Sequence, residues 1–513
     1  MTAGTGPSVR RASAPPGVHP GGAEGEGVPS AAPGRTRTGL ALLVIVIGVL
    51  MAAVDTTIVV LALPEMERSL HVAISGVIWV IIGYLLVITV LATQVGRLGD
   101  MFGRVRMYEA GFVVFIVGSA LCALASNEAT IIVYRLVQGV GGALITANSG
   151  AVIADTFPPE RRGRAYGFNA VGWSVGAILG ILLGGAIVTY VDWRWVFWIN
   201  VPAGVGAVLL ALRVLHDRGE RRRERLDLAG MALFGAGVFG VLWAMTKLST
   251  TSFSGDVAGF LLGGVVLLAV FVLVERRRSA PMLDLSLFRI PTVSPTMLAS
   301  LFQAMANFAV LFLVIMYLQG VRGYTPLHAS LLLVPGYLVG GFVGPIGGRL
   351  ADRVGAVWPA TLGLGIQIVA LLVYAQLGVH SSVGLVVVAS VVSGLGSGLF
   401  FPANTTAVMR AAPPELFGVS SGMLRTFANV GMVFSFAVAI LVAGRAIPHR
   451  VAFAIFVGTT RLTHHLAGSF TDGLHAAFYA SVGIMALAAL LSATRVVHPW
   501  RRSHAPAEVA AEG

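Results

Sequence analysis

The sequence predicts an all-α integral membrane protein: fourteen spans, built as two six-helix bundles with two extra central spans between them. Three observations carry this. Of 513 residues, 56% are hydrophobic and only 11% charged, with a mean hydropathy of +0.85; a soluble domain carries about 25% charged residues. Apolar runs of about 20 residues recur along almost the whole chain, each long enough to cross a bilayer as a helix. A short sequence unit in the first half returns in the second. The alternating pattern of a barrel is absent, and without barrel closure a backbone in lipid must be helical.

Residues 1–38, rich in Gly, Pro, Ala, Ser and Arg, read as a disordered cytoplasmic tail. They do not read as a cleaved signal: no short apolar segment precedes the first span, and Arg10-Arg11 is not followed by an apolar run. The N-terminal half, 39–216, holds spans at 39–61, 76–95, 107–125, 131–154, 168–189 and 196–215. Cytoplasmic loops and two extra spans, 229–248 and 257–274, occupy 217–293. The C-terminal half, 294–497, holds spans at 295–318, 328–348, 357–378, 383–408, 419–444 and 474–496, and a cytoplasmic tail follows at 498–513.

Arginine placement sets the orientation. With the N-terminus in the cytoplasm, the inside segments carry Arg35, Arg37, Arg97, Arg104, Arg106, Arg161, Arg162, Arg164, the "RGERRRER" and "ERRR" stretches, Arg349, Arg353, Arg410 and Arg495. The outside keeps scattered ones such as Arg68, Arg194 and Arg322. This is the positive-inside pattern, and an even span count returns the C-terminus to the cytoplasm. The net charge of +12 is therefore spread over short loops, which argues against a nucleic-acid partner. The lone cysteine, Cys122, lies in an apolar run and reads as a packing residue. The expected partners are the lipid bilayer, a small lipophilic substrate and protons, with the chain working as a monomer in the plasma membrane.

Two loops are near copies, "GRLGDMFGR" at 96–104 and "GRLADRVGA" at 348–356, and "GVGGALITAN" at 139–148 is echoed by "GLGSGLFFPAN" at 394–404. Setting spans 7 and 8 aside, these are the second and fourth helices of two equivalent halves, the internal duplication from which many secondary transporters are built. With "RLVQGVGGA" at 135–143, "VDTTIVVLALP" at 54–64 and "WRWVFWINVPAG" at 193–204, the chain resembles the major facilitator superfamily, and within it the fourteen-span drug:proton antiporters, over 39–497. That resemblance implies a cytoplasmic gate at Gly96, Asp100, Gly103, Arg104 and Asp155, a charged cluster that latches the two halves; Gly96, without a side chain, is expected to permit close helix approach there. It also implies motif positions Gln138 and Gly139 in span 4 and Gly176, Gly180 and Gly184 in span 5. Where the span 5 motif has proline this chain has Ile181, but the glycines still recur every four residues, a close-packing face. In the second loop copy Ala356 stands in the place of Arg104, which predicts a degenerate cluster there.

Asp55 is the most informative residue. A mid-helix Asp costs roughly 2.5–3.5 kcal/mol in a bilayer, and it lies roughly 24 Å along its span, at a depth similar to Arg135. Facing each other, or a watery cavity, would relieve both. Pairing favours the ionised acid and burial the neutral one, so a carboxylate whose surroundings alternate is a proton carrier; a static salt bridge is the plainer alternative. By the repeat, Arg135 corresponds to Ser390, and no acid falls within the predicted C-half spans, which assigns proton coupling to Asp55 and Arg135. Asn148, Gln303, Asn307, Gln367 and Asn404 are candidates for the substrate cavity, each open to a second reading as a helix–helix hydrogen bond.

No catalytic set, cofactor or metal site is expected. "GWSVG" and "GVSSG" match a hydrolase elbow but follow no strand, and His449, His464 and His465 are loose loop histidines. The reading is proton-coupled export of lipophilic drugs or antibiotics. Its rivals are a dedicated exporter of a self-made metabolite, lipid or peptide, and a transport-dead membrane sensor.

Overall fold

The computed structural model describes residues 35–70, 74–217, 226–278, 281–412, 417–446 and 464–497. Most of the N-terminal tail, the C-terminal tail, the "RGERRRER" stretch and His449 lie outside the described residues. Among those described, fourteen helices are long and apolar enough to cross a membrane. They are α1 (Arg35–Leu70), α2 (Trp79–Phe102), α3 (Arg104–Ala123), α4 (Glu128–Thr156), α5 (Pro159–Tyr190), α6 (Trp195–Val214), α7 (Leu228–Thr250) and α8 (Gly255–Glu275). The remainder are α9 (Val293–Met316), α10 (Pro326–Val354), α11 (Val357–Tyr374), α12 (Gly384–Ala411), α13 (Phe417–Ala446) and α14 (His464–Val497). Each overlaps one predicted span, because the bilayer leaves the backbone little choice but a helix of this length.

Local chemistry sets several ends. Asn127 opens α4 with a capping box, accepting from Thr130 N at 3.0 Å. Asp227 opens α7 by accepting from Gly230 N at 2.8 Å. Gly103 and Gly355, at equivalent places in the repeat, end α2 and α10 with φ of 107° and 90°, which an L side chain rarely adopts.

Packing follows two sets of six. Within the first, α1 lies on α5 and α6, α4 on α2 and α3, and α3 on α6; within the second, α9 lies on α13 and α14, α12 on α10 and α11, and α11 on α14. The sets meet along two seams, α5 with α10 and α2 with α13, which the repeat interchanges. The extra pair α7 and α8 pack on each other, and α7 docks over α2 and α13. The ends of α2, α4, α10 and α12 that carry the loop repeats share one face, the arginine-rich face of the molecule.

On the opposite face the seam is shut. Leu327 N donates to Thr189 Oγ1 at 3.3 Å between α5 and α10. A Cβ on Gly185 would come within 2.9 Å of Leu327 Cα. Beside it, Leu63, Pro64 and Glu67 of α1 meet Phe312 and Met316 of α9 around a cavity of about 20 Å³, room for a single water.

α1 is longer than predicted. It continues past residue 61, through Pro64, to Leu70 and buries Glu67 at 5% exposure. Oε1 of Glu67 has no hydrogen-bond partner among the described residues. The described spans thus hold buried carboxylates besides Asp55, Glu67 here and Glu275 at the end of α8, missed because each apolar run was taken to end before its first polar residues.

Candidate functional site

Asp55 and Arg135 face each other inside the first six-helix set, at 0% and 1% exposure, with Arg135 Nη1 donating to Asp55 Oδ2 at 2.8 Å. Such a pair persists in a low-dielectric interior only when its remaining donors and acceptors are met. Here they are. Gln138 Nε2 donates to Asp55 Oδ1 at 2.8 Å, and Asn200 Nδ2 reaches the same oxygen at 3.4 Å. Arg135 also donates from Nη1 to Gln138 Oε1 at 2.6 Å and from Nε to the Val80 carbonyl at 2.8 Å. Its guanidinium lies 4.2 Å from the Tyr84 ring centroid and 5.6 Å from that of Phe197.

Asn200 is held in turn. Its Nδ2 donates to Ser119 Oγ at 3.2 Å, and Ser119 donates to the Phe197 carbonyl at 2.8 Å. The network therefore joins α1, α2, α3, α4 and α6. Sequence reasoning paired Asp55 with Arg135 and singled out Gln138 as a motif residue, but missed Asn200, Ser119 and Tyr84. Asn200 had a signal, as an amide in an apolar turn; Ser119 and Tyr84 had none.

The span 5 glycines lie against this network. Cβ atoms on Gly176 and Gly180 would each come within 2.7 Å of a backbone carbonyl of α1, at Leu50 and Val54, and one on Gly184 would meet Ile58 at 3.0 Å. Thr57 Oγ1 donates to the Ala177 carbonyl across the same contact at 3.3 Å. Gly139 similarly presses on Tyr84 O and Val87 of α2. Ile181 is fully buried and α5 runs through it unbroken.

At the arginine-rich face, Arg104 Nε donates to Asp100 Oδ1 at 2.8 Å and Nη1 to Asp155 Oδ1 at 2.7 Å. All three belong to the first set, on α2, α3 and α4, so the charged cluster is closed within one half and does not bridge the two. Two further expectations are corrected here. A Cβ on Gly96 would meet nothing within 4 Å; the close approach belongs to Gly99, against Asn148 Oδ1. The second copy is rewired rather than empty: Arg410, at the repeat position of Asp155, donates to Asp352 Oδ1 at 3.0 Å. Reversing the charge on α12 removes the need for an intervening arginine. This pair is exposed, and an exposed pair is worth little.

Of the polar cavity candidates, Asn148, Gln303, Gln367 and Asn404 are fully or almost fully buried inside single halves. Gln303 Nε2 donates to Gln367 Oε1 at 2.8 Å, linking α9 to α11. Asn148 Nδ2 donates to the Leu144 carbonyl at 2.9 Å. Asn404 Nδ2 donates to the Thr296 carbonyl at 3.2 Å, while Arg495 Nη1 reaches its Oδ1 at 3.4 Å. Arg495 also binds Thr296 and Ser492, so it is a buried structural cation rather than a loop charge. Gln303, Gln367 and Asn404 thus tie helices together in this conformation, whereas Asn148 bonds only back along α4. Of the five, Asn307 alone is only half-buried, with Ser393 Oγ donating to its Oδ1 at 3.4 Å.

Two equivalent sets of membrane-crossing helices meeting at paired seams, with a charge network buried in one of them, are the build of a membrane transporter. The chain belongs to the Major Facilitator Superfamily, whose family model matches residues 45–436. It is 33% identical over 404 residues to the tetracenomycin C resistance and export protein of Streptomyces glaucescens, covering 77% of this chain and 74% of that one. It is 29% identical to the riboflavin transporter RibZ of Clostridioides difficile, over 76% of this chain and 85% of that one. Among solved structures, a bacterial homologue of the human lysosomal transporter Spinster superposes with a TM-score of 0.66 at 16% identity, over 91% of this chain and 98% of the other.

Proposed function

We propose that this chain is a proton-coupled exporter of lipophilic small molecules in the plasma membrane, with its arginine-rich face and both termini in the cytoplasm. The observation that carries the proposal is Asp55: a carboxylate sealed from water at mid-membrane, ion-paired in one half, with Ser390 standing at the place of Arg135 in the other. In this conformation Asp55 is held by Arg135, Gln138 and Asn200. Rearrangement that pulls α1 from α4 would strip those donors, and a proton would then replace them as the means of neutralising the acid. One proton returning down about 150 mV supplies roughly 3.5 kcal/mol, enough for an accumulation ratio of a few hundred.

Export of a toxic compound is favoured by likeness to a protein named for resistance and export. A dedicated carrier of one metabolite is the second reading, favoured by likeness to a riboflavin transporter. A drug-susceptibility panel in a pump-deficient host, with and without an uncoupler, tests both. Protection against several unrelated lipophilic compounds, lost on uncoupling, is expected. Protection against none, or protection that survives the uncoupler, would overturn the proposal.

A further inference from the structure

Arg135, Arg425 and Arg495 all lie within membrane-spanning segments. A guanidinium there costs several kcal/mol unless it is paired or wetted, and it stays charged at any working pH. Arg135 has its carboxylate, and Arg495 is buried among Thr296, Asn404 and Ser492. Arg425 has no carboxylate partner among the described residues and no such polar burial.

Arg425 is the seventh residue of the span Val419–Ala443, roughly 9 Å into it. Its side chain is exposed, and its one bond among the described residues runs from Nη1 to the Thr146 carbonyl on α4, at 3.2 Å. No carboxylate among the described residues lies within ion-pair distance of it. The bond crosses from α13 in the second set to α4 in the first, so the guanidinium sits between the two halves rather than against lipid. Most of its five N–H donors are uncommitted.

Its surroundings suit an aromatic guest. One helical turn along the same face of α4, the Gly150 carbonyl accepts from the hydroxyl of Tyr166 at 2.9 Å. Tyr166, on α5, is itself 43% exposed. From the first of these anchors onward α4 presents Ala147, Gly150, Ala151 and Ala154, all small and partly exposed, a shallow floor against which a flat molecule can lie.

We propose that Arg425 selects the substrate: the space between the halves takes lipophilic aromatic molecules that bear an acidic group, a phenolate, enolate or carboxylate, which the guanidinium holds with charge-assisted hydrogen bonds. Cations of similar shape bind less well because the same charge repels them. The inference gives the export reading a substrate class and rests on it for its biological meaning. Its test needs no proton gradient, so failure of coupling and failure of charge selection are read separately.

The test is equilibrium binding of two xanthene dyes, anionic fluorescein and cationic rhodamine 123, to the purified full chain in detergent, followed by fluorescence polarisation. Wild type is expected to bind fluorescein more tightly. Arg425→Gln is expected to weaken fluorescein binding about tenfold while rhodamine 123 binding is unchanged or tighter, and Arg425→Lys to keep most of the preference for the anion. A wild type that binds both dyes equally, or binds no fluorescein, would overturn the proposal. So would an Arg425→Gln variant that loses both dyes in equal measure while remaining monodisperse; that result would make Arg425 a tether between α13 and α4.

Discussion

At the scale of single residues, the Asp55 network sets the sharpest expectations. Asp55→Asn keeps the shape and an acceptor oxygen for Gln138 or Asn200, but it cannot cycle a proton. It should leave an inserted, monodisperse protein in which uphill export is abolished, as measured by substrate uptake into inverted vesicles after an imposed proton gradient. Gradient-driven uptake at the wild-type rate would sink the carrier assignment. Arg135→Ala is a different lesion. It leaves a buried carboxylate without its cation, and breaking such a pair costs about 3–5 kcal/mol. The variant should therefore lose thermal stability in detergent as well as transport, whereas Asp55→Asn should lose transport with far less change in melting temperature. Glu67, also buried, lies at the closed seam on the face opposite the arginines, apart from the network of Asp55.

At the scale of elements, α1 and α5 are held in register by Gly176, Gly180 and Gly184, and the Asp55 site lies on the helix they press against. Gly180→Val would drive methyl groups into the Val54 carbonyl and Thr57, an overpacking of about 1–3 kcal/mol that shifts α1. A lower melting temperature together with reduced transport is expected; the same change at Gly206, where a Cβ meets nothing within 4 Å, should be silent in both. The cluster of Asp100, Arg104 and Asp155 ties α2, α3 and α4 into one body at their arginine-rich ends. Arg104→Ala removes both bonds at once, so it should slow turnover more than it weakens substrate binding, and Asp100→Asn should do the same to a smaller degree. Unchanged rates in both variants, measured by stopped-flow substrate efflux, would reduce the cluster to a solvated loop.

At the scale of the whole molecule, the expectations concern orientation and cargo. Reporter fusions after Arg37 and at Gly513 should both report the cytoplasm; opposite sides would refute an even number of spans. A dication would want two acidic groups beside its path, since each buried unpaired charge costs several kcal/mol. Asp55 is occupied by Arg135, Glu67 is walled by apolar side chains at the closed seam, Glu275 at the end of α8 accepts from the Met282 amide, and Arg425 brings a positive charge to the space between the halves. Doubly cationic biocides should be poorer substrates than matched monocations, which dose–response curves in a pump-deficient host will decide. Equal protection against both would place an unseen acid in the path.

Span count, span order and the twofold repeat were legible in the sequence because the bilayer imposes them residue by residue: a run of apolar side chains of fixed length has one low-energy backbone in lipid. The pairing of Asp55 with Arg135 was legible for a related reason, since each is too costly to leave alone at that depth and the two lie at matching depths. Which further groups complete the network was not. Asn200, Ser119 and Tyr84 join it through the rotation of five helices about their axes, and hydropathy carries no record of rotation. The same blindness left Asn148, Gln303, Gln367 and Asn404 open between a cavity and a helix–helix bond; Gln303, Gln367 and Asn404 bond between helices of one half and Asn148 within α4. An amide in an apolar run announces that it needs a partner, but not on which side the partner stands. Arg425 was passed over inside a span for the same reason: only the docking of α13 along α2 brings its guanidinium to the Thr146 carbonyl of the other half.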